Sequence, residues 1–493
     1  MATHLHDELK TSVRIQVETK YGKVTGGRAA NKCAVFLEVP YALPPARFED
    51  PQPLPADFRY DIDKEFTREA SYAFQPTNDG QAQNTPFEDK VGLGNPTENA
   101  LFLNIVSPPS FPCAQKFPVR VYIHGGFLQF GSPHGLKSQA QYISAERSEV
   151  WVNIGYRLSA FGFLASSQPE ISGNFGFKDQ WLALVWIKEN IDSFGGDPEN
   201  IQVIGLSAGA HSVHQLLHFA SHLPKGTIAP FTSAVLQSNA IVNDPRTPQE
   251  LRPQFEALCG ALNIDPSSSD ALDQLVRVPA SEITRVIETD ALGTKFGTFR
   301  GCLDGKWIPA SPGPMEWQRS GGFASALREK GDIAPNLERY YPQDMVTAMT
   351  CHYPSLPDTA TSDESIKLFG EIFSDFRVHL PIRILARDLH EAGFPVLRYE
   401  IRWVPEQLRT GGYITHGTDR ALWTFRVPDL NEEQIEVARV WLARIAEETQ
   451  ALENGGKTIK GSRDILVLGE DRTVEWKVDL QWDDKMKLMD ALA

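Results

Sequence analysis

Cysteine is sparse in this chain, positive charge is in deficit, and no apolar run is long enough to cross a membrane. Each shortage excludes a class of protein. Five cysteines, Cys33, Cys113, Cys259, Cys302 and Cys351, are scattered over 493 residues, odd in number and never in a CxxC pair. That pattern reads as free thiols in a reducing compartment, not as a disulfide framework or a zinc site. Lys and Arg number 48 against 63 Asp and Glu, a net charge of −15. Such a balance argues against nucleic acid or an anionic membrane as partner. The stretch Met1 to Gln16 carries Asp7, Glu8, Lys10 and Arg14 and no apolar core, so no secretory signal is expected. Asn95-Pro96-Thr97 is voided as a glycosylation sequon by its proline. Together these absences point to a cytoplasmic protein. Repeats, low-complexity tracts and long linkers are also missing, and residues 1–493 read as a single domain.

What is present has the rhythm of an α/β protein. Residues 12–40 read as short strands, with Ile15, Val17 and Thr19 alternating before a Tyr21-Gly22-Lys23 turn. Val119 to Ile123 and Val150 to Ile154 are continuous apolar runs of strand length, the mark of strands buried on both faces. A helical pattern from Asp179 to Phe194 ends at Gly195-Gly196, and Ile201 to Leu206 reads as the next buried strand. Ser233 to Gln237 reads as another strand and 246–290 as a run of helices. Residues 364–392 read as helical, Val396 to Trp403 as a strand, and Glu432 to Glu453 as a long amphipathic helix. This alternation predicts a large, mostly parallel central sheet with helices on both faces.

The chemistry concentrates at Gly205-Leu206-Ser207-Ala208-Gly209, a G-x-S-x-G pentapeptide where a strand should run into a helix. A serine on that sharp turn is pushed out of the sheet above a helix N-terminus, which suits a nucleophile attacking an acyl carbon. Such a serine needs N–H donors aimed at the developing oxyanion. Ala208 N–H is one, and the loop His124-Gly125-Gly126-Phe127, after the strand ending at Ile123, offers others.

These residues, with several landmarks elsewhere, resemble the type-B carboxylesterase and cholinesterase-like family of α/β hydrolases over nearly the whole chain. The landmarks are Phe36-Leu37-Glu38-Val39-Pro40-Tyr41-Ala42, then Pro44-Pro45, Arg47-Phe48 and Pro51-Gln52-Pro53. Glu98 to Ile105, Asn153 to Leu164, Gly173 to Gly176 and Asp179-Gln180 follow. The resemblance implies the α/β-hydrolase fold, a serine carboxylic-ester hydrolase, a small-molecule ester as substrate, and no cofactor or metal. It implies Ser207 as the acyl-enzyme nucleophile and the amides of Gly126, Phe127 and Ala208 as oxyanion donors. It also implies His416, in Tyr413-Ile414-Thr415-His416-Gly417-Thr418-Asp419, as general base, with Asp419 as a structural partner of that loop.

The chain departs from the family's pattern in four places. Phe127 replaces the family's third glycine and should narrow the pocket. Leu206 replaces a glutamate beneath the serine. Ala100 stands where secreted members keep a disulfide cysteine. The segment that should carry the triad acid is short: after Asp304-Gly305, Gly321 to Gly331 reads as a helix, but no apolar strand precedes Tyr340. Asp332 is the nearest acid by position, with Glu316, Glu329 and Glu338 as further candidates. The damaged acid region leaves two alternatives open, a non-catalytic binding protein on the same scaffold and an acyltransferase or lactonising enzyme. His211, His214 and His218 share a helix face but read as core or satisfied polar histidines. His4 and His6 fall in a stretch expected to be mobile. Trp181, Trp186 and Trp423 read as core or pocket lining.

Overall fold

The computed structural model describes residues 3–77, 86–238, 245–293, 295–309, 343–355, 368, 371–372, 374–409, 414, 416–455 and 460–492. The chain divides into two compact units. One comprises Met1–Gln237, Pro245–Ile308 and Trp423–Asn431, the other Ser238–Asp244, Pro309–Leu422 and Glu432–Ala493.

The first unit is built on eight strands: β1 (Arg14–Thr19), β2 (Gly22–Arg28), β3 (Ala34–Pro40), β4 (Phe102–Ser107), β5 (Phe117–Ile123), β6 (Val150–Ile154), β7 (Gly196–Leu206) and β8 (Ser233–Gln237). Their order across the sheet is β1-β2-β3-β4-β6-β5-β7-β8. The sheet is mixed, which corrects the mostly parallel expectation. From β1 to β6 the neighbours are antiparallel, and only β6–β5, β5–β7 and β7–β8 are parallel. The connections explain the split. β1 meets β2 through a turn closed by the Thr19–Gly22 pair, and a link that short permits only antiparallel neighbours. Parallel neighbours need a crossover. Those crossovers are α1 (Gln141–Arg147) between β5 and β6, α2 (Phe175–Asn190) between β6 and β7, and α3 (Ala208–Ser221) between β7 and β8.

Burial follows the apolar runs. Every residue of β4 and β6 is buried, as continuous Val, Ile and Leu stretches require. Phe36 of β3 meets Phe194 edge to face with centroids 4.9 Å apart, joining the antiparallel half to the connection before β7. Further on lie α4 (Pro248–Ala261), α5 (Ala271–Arg277) and α6 (Ala280–Glu288). The start of α4 is a capping box: Thr247 Oγ1 accepts the Glu250 N–H at 3.3 Å, and Glu250 Oε2 accepts the Thr247 N–H at 2.7 Å.

One ion pair locks the connection after β6. Asp179 of α2 accepts from Arg157 Nη2 at 2.6 Å, Nε at 2.9 Å and the Arg157 backbone N–H at 3.0 Å. The remaining guanidinium nitrogen donates to Glu49 O at 2.7 Å. Both residues are buried. The N-terminal stretch departs from the sequence reading, because His4 is buried rather than mobile. Its Nδ1 lies 2.8 Å from Glu69 and its Nε2 3.4 Å from Asp89, and Glu69 also accepts the His6 and Leu93 backbone amides. All five cysteines are free thiols.

In the second unit, α7 (Leu380–Glu391) and α8 (Glu432–Gly455) accompany a three-stranded sheet of β9 (Tyr399–Ile401), β10 (Asp464–Leu468) and β11 (Val474–Val478). β9 and β10 are parallel, β10 and β11 antiparallel. The strand expected over 396–403 contracts to Tyr399–Ile401. Asp479 sits between two buried guanidiniums, 2.8 Å from Arg383 and 2.6 Å from Arg398. Among the described residues no helix is long and apolar enough to cross a membrane.

Candidate active site

The parallel register delivers Ser207 to the carboxyl edge of the sheet, where open α/β sheets bind ligands. Gly205 of β7 stands opposite Ile123 of β5 and Leu236 of β8, so the residues following β5 and β7 emerge side by side. Ser207 turns the corner into α3 with φ 59° and ψ −124°, backbone angles a non-glycine residue holds only when its surroundings enforce them. Two bonds do so. Ser207 N–H donates to Gln237 O at 2.8 Å, and Ser207 O accepts the His211 N–H at 3.0 Å.

Glycine is required on both sides of the corner because the chains approach closely. A methyl group on Gly205 would stand 2.1 Å from Gly209 O, and one on Gly209 would stand 2.0 Å from Ile123 O. The serine itself is half-buried, as is Leu206, so neither is sealed from solvent. Ala208 follows as the first residue of α3, where the N–H groups have no intrahelical partner and carry the positive end of the helix dipole.

The loop after β5 packs directly against this corner. A methyl group on Gly125 would lie 3.0 Å from Ser207 Cβ, 3.6 Å from Ala208 N and 2.6 Å from Leu206 O. The structure therefore brings Ser207, Ala208 and the His124–Phe127 loop together. Gly126 takes φ 105° and Phe127 φ 58°. The Phe127 ring is half-buried and meets Phe130 edge to face at 5.7 Å.

Each peptide of the loop is held by its carbonyl. Gly125 O accepts from His124 Nδ1 at 2.8 Å, and Gly126 O accepts the Gln129 and Phe130 N–H groups at 2.8 and 3.0 Å. His124 is buried, and burial pulls its pKa down to about 4, the Gly125 bond opposing. The neutral ring must carry its proton on Nδ1, since its partner is a carbonyl. Tyr156 stacks on that ring at 4.5 Å and donates its hydroxyl to His124 O at 2.9 Å. Sequence reasoning missed Tyr156, Gln129 and Gln237 as supports of the loop and corner. No local pattern marks them, because each acts through a contact set by strand order.

His416 belongs to the second unit. It opens a turn in which Gly417 has φ 79°, the Arg420 N–H donates to Gly417 O at 3.2 Å, and the Leu422 N–H donates to Asp419 O at 2.9 Å. The His416 side chain meets solvent, yet the protein around it strips enough water to lower its pKa below the ordinary 6.5. The nearby Asp419 charge opposes that shift. Asp332, Glu316, Glu329 and Glu338 lie outside the described residues, as do Tyr413 and Thr415. His214 and His218 are buried in α3. Among the described residues no group of three or more His, Cys, Asp or Glu is placed to hold a metal ion. Trp186 and Trp423 are buried, and Trp181 packs edge-on against Phe219 at 4.7 Å.

The Carboxylesterase family model matches residues 13–326. An uncharacterized esterase/lipase of Schizosaccharomyces pombe is 30% identical over 93% of this chain and 92% of its own length. Carboxylesterase 1F of Mus musculus is 33% identical over 86% of this chain and 83% of its own. The solved structure of a PNB esterase superposes with a TM-score of 0.74 at 23% identity, covering 97% of this chain and 100% of that one. A serine corner backed by a glycine loop thus sits in a sequence related to esterases along most of its length, and the chain belongs to the carboxylesterase family, as a carboxylic-ester hydrolase with the α/β-hydrolase fold.

Proposed function

We propose that the chain cleaves small-molecule carboxylic esters through an acyl-enzyme on Ser207. His416 takes the Ser207 hydroxyl proton as Oγ attacks the acyl carbon, and the tetrahedral oxyanion accepts hydrogen bonds from the N–H groups of Gly126, Phe127 and Ala208. As the carbon–oxygen bond breaks, His416 returns the proton to the departing alcohol. A water deprotonated by His416 then attacks the acyl carbon, and as the carbon–Oγ bond breaks His416 returns that proton to Ser207 Oγ and the acid product leaves. Asp332 is the proposed carboxylate that orients the imidazole. The reading treats 1–493 as one hydrolase domain, a span supported by the 97% of the chain that the PNB esterase structure covers.

The left-handed Ser207, with the Gly125 loop packed against its Cβ, carries this reading. Hydrolysis of p-nitrophenyl butyrate by the wild type and by Ser207→Ala tests it, together with fluorophosphonate labelling. The variant should be inactive and unlabelled. Equal rates in the two proteins would end the proposal.

A further inference from the structure

Two consecutive non-glycine residues, Phe127 and Leu128, hold left-handed backbones at φ 58° and 67°. Bulky side chains seldom adopt that region, and such residues persist only where other contacts over-determine them. Gln129 supplies those contacts. Its side chain is buried, with 5% exposure. Nε2 donates to Phe127 O at 2.9 Å and also to Phe299 O, while Oε1 accepts the Phe299 N–H at 3.0 Å. A reversed amide would set oxygen against two carbonyls and nitrogen against an N–H, so the partners themselves fix its orientation. The anchor is firm because Phe299 is fully buried.

The backbone of Gln129 adds a second hold, its N–H donating to Gly126 O at 2.8 Å. The Gly126–Phe127 peptide is trans, so its carbonyl and N–H point in opposite directions. Tying Gly126 O inward therefore turns the Phe127 N–H away from the turn. Tying Phe127 O to the Gln129 side chain fixes the next peptide plane, and with it the backbone angles of Phe127.

We infer that Gln129 is a positioning residue for ester hydrolysis, aiming the Phe127 N–H at the oxyanion through the Phe127–Leu128 peptide, with Phe299 as its anchor. The inference rests on the proposed role of Phe127 N–H as an oxyanion donor. The same loop provides an internal control. Gln75, equally buried, accepts the Gly131 N–H at 2.8 Å and donates to Gly131 O at 2.9 Å and Ala73 O at 3.0 Å. It clamps the loop as tightly, but beyond the donors.

The test compares Gln129→Met, Gln75→Met and Ser207→Ala in the full chain, with p-nitrophenyl butyrate as substrate and a trifluoromethyl ketone as oxyanion-forming inhibitor. Gln129→Met should lower kcat by about tenfold to a hundredfold with KM within about twofold, and inhibitor affinity should fall by the same factor. Gln75→Met should keep kcat within about threefold while its melting temperature falls at least as far. Gln129→Glu keeps the acceptor for the Phe299 N–H and loses both donors, so it carries the same expectation and decides the matter should the Met variant not fold. Unchanged kcat in the Gln129 variants, or an equal loss in Gln75→Met, would overturn the positioning role. Activity surviving in Ser207→Ala is a separate outcome that overturns the acyl-enzyme reading beneath it.

Discussion

The closest approach between the loop and the serine corner is at Gly125, and a single methyl group there should cost most of the enzyme's rate. In Gly125→Ala the new Cβ would start 2.6 Å from Leu206 O and 3.0 Å from Ser207 Cβ. The first neighbour is backbone and cannot rotate away, so the loop must retreat by about 0.8 Å to reach the 3.4 Å of ordinary contact. An N–H placed about 2.9 Å from an oxyanion would then stand near 3.7 Å, outside hydrogen-bond range. Removing one such donor typically lowers kcat by about 10² to 10³, or about 2.7–4 kcal/mol of transition-state stabilisation. We expect a loss in that range for Gly125→Ala, with KM little changed because the substrate carbonyl carries less charge before attack. Steady-state kinetics on p-nitrophenyl butyrate, beside a thermal melt by circular dichroism, measures it. A variant that melts like the wild type and keeps kcat within about threefold would refute the proposed geometry of donors and nucleophile.

Other consequences are as direct. Asp179→Asn strands the buried Arg157 guanidinium, now bonded to Asp179 at 2.6 Å, and should destabilise the first unit by about 3–5 kcal/mol in urea unfolding; a loss under about 1 kcal/mol would contradict the described pair. The double replacement Arg157→Met with Asp179→Leu should recover much of that loss, because two apolar groups leave no uncompensated charge. The pKa of His416, the proposed base, is lowered, so if its neutral form takes the proton kcat/KM should fall on the acid side through a value below 6.5; an acid limb above 6.5 would count against His416 as the base. The hydrogen bond from Glu69 raises the His4 pKa above 6.5. Burial pushes Glu69 upward, but its bond to His4 and the nearby histidine charges win and hold it below 4.5. The His4 contribution is therefore full below 6.5 and lost as pH rises through its raised value, while that of Glu69 is full above 4.5 and lost as pH falls through its lowered one. The melting-temperature gap between wild type and His4→Ala should accordingly be widest between pH 4.5 and 6.5; a gap that does not vary with pH would show that the pair is not ionised.

Much of the site was legible because its signals are local. Val150–Ile154 and Ser233–Gln237 form strands over the same residues that their apolar runs mark. The helix pattern ending at Phe194 is α2 with a tight 3-10 turn at Ile191–Phe194. The spacing of Gly205, Ser207 and Gly209 announced a crowded corner, and the crowding is there. His4 was misjudged because an N-terminal histidine looks the same in sequence whether or not a distant Glu69 awaits it. The strand over 396–403 was overextended because an apolar run marks burial, while a strand also needs a partner, and of that run only Tyr399–Ile401 pairs in register with β10.

By itself the sequence determined the nucleophile candidate, the glycine loop and the alternation of strands and helices, since these depend on backbone sterics and periodicity within a few residues. Tertiary structure alone decided that the sheet is half antiparallel, that β5 lies beside β7 so that Gly125 meets Ser207, and that Tyr156, Gln129 and Gln237 hold the loop and corner in place. Those outcomes depend on which strands become neighbours, and pairing energy is shared among residues far apart in the chain, where no short pattern can record it.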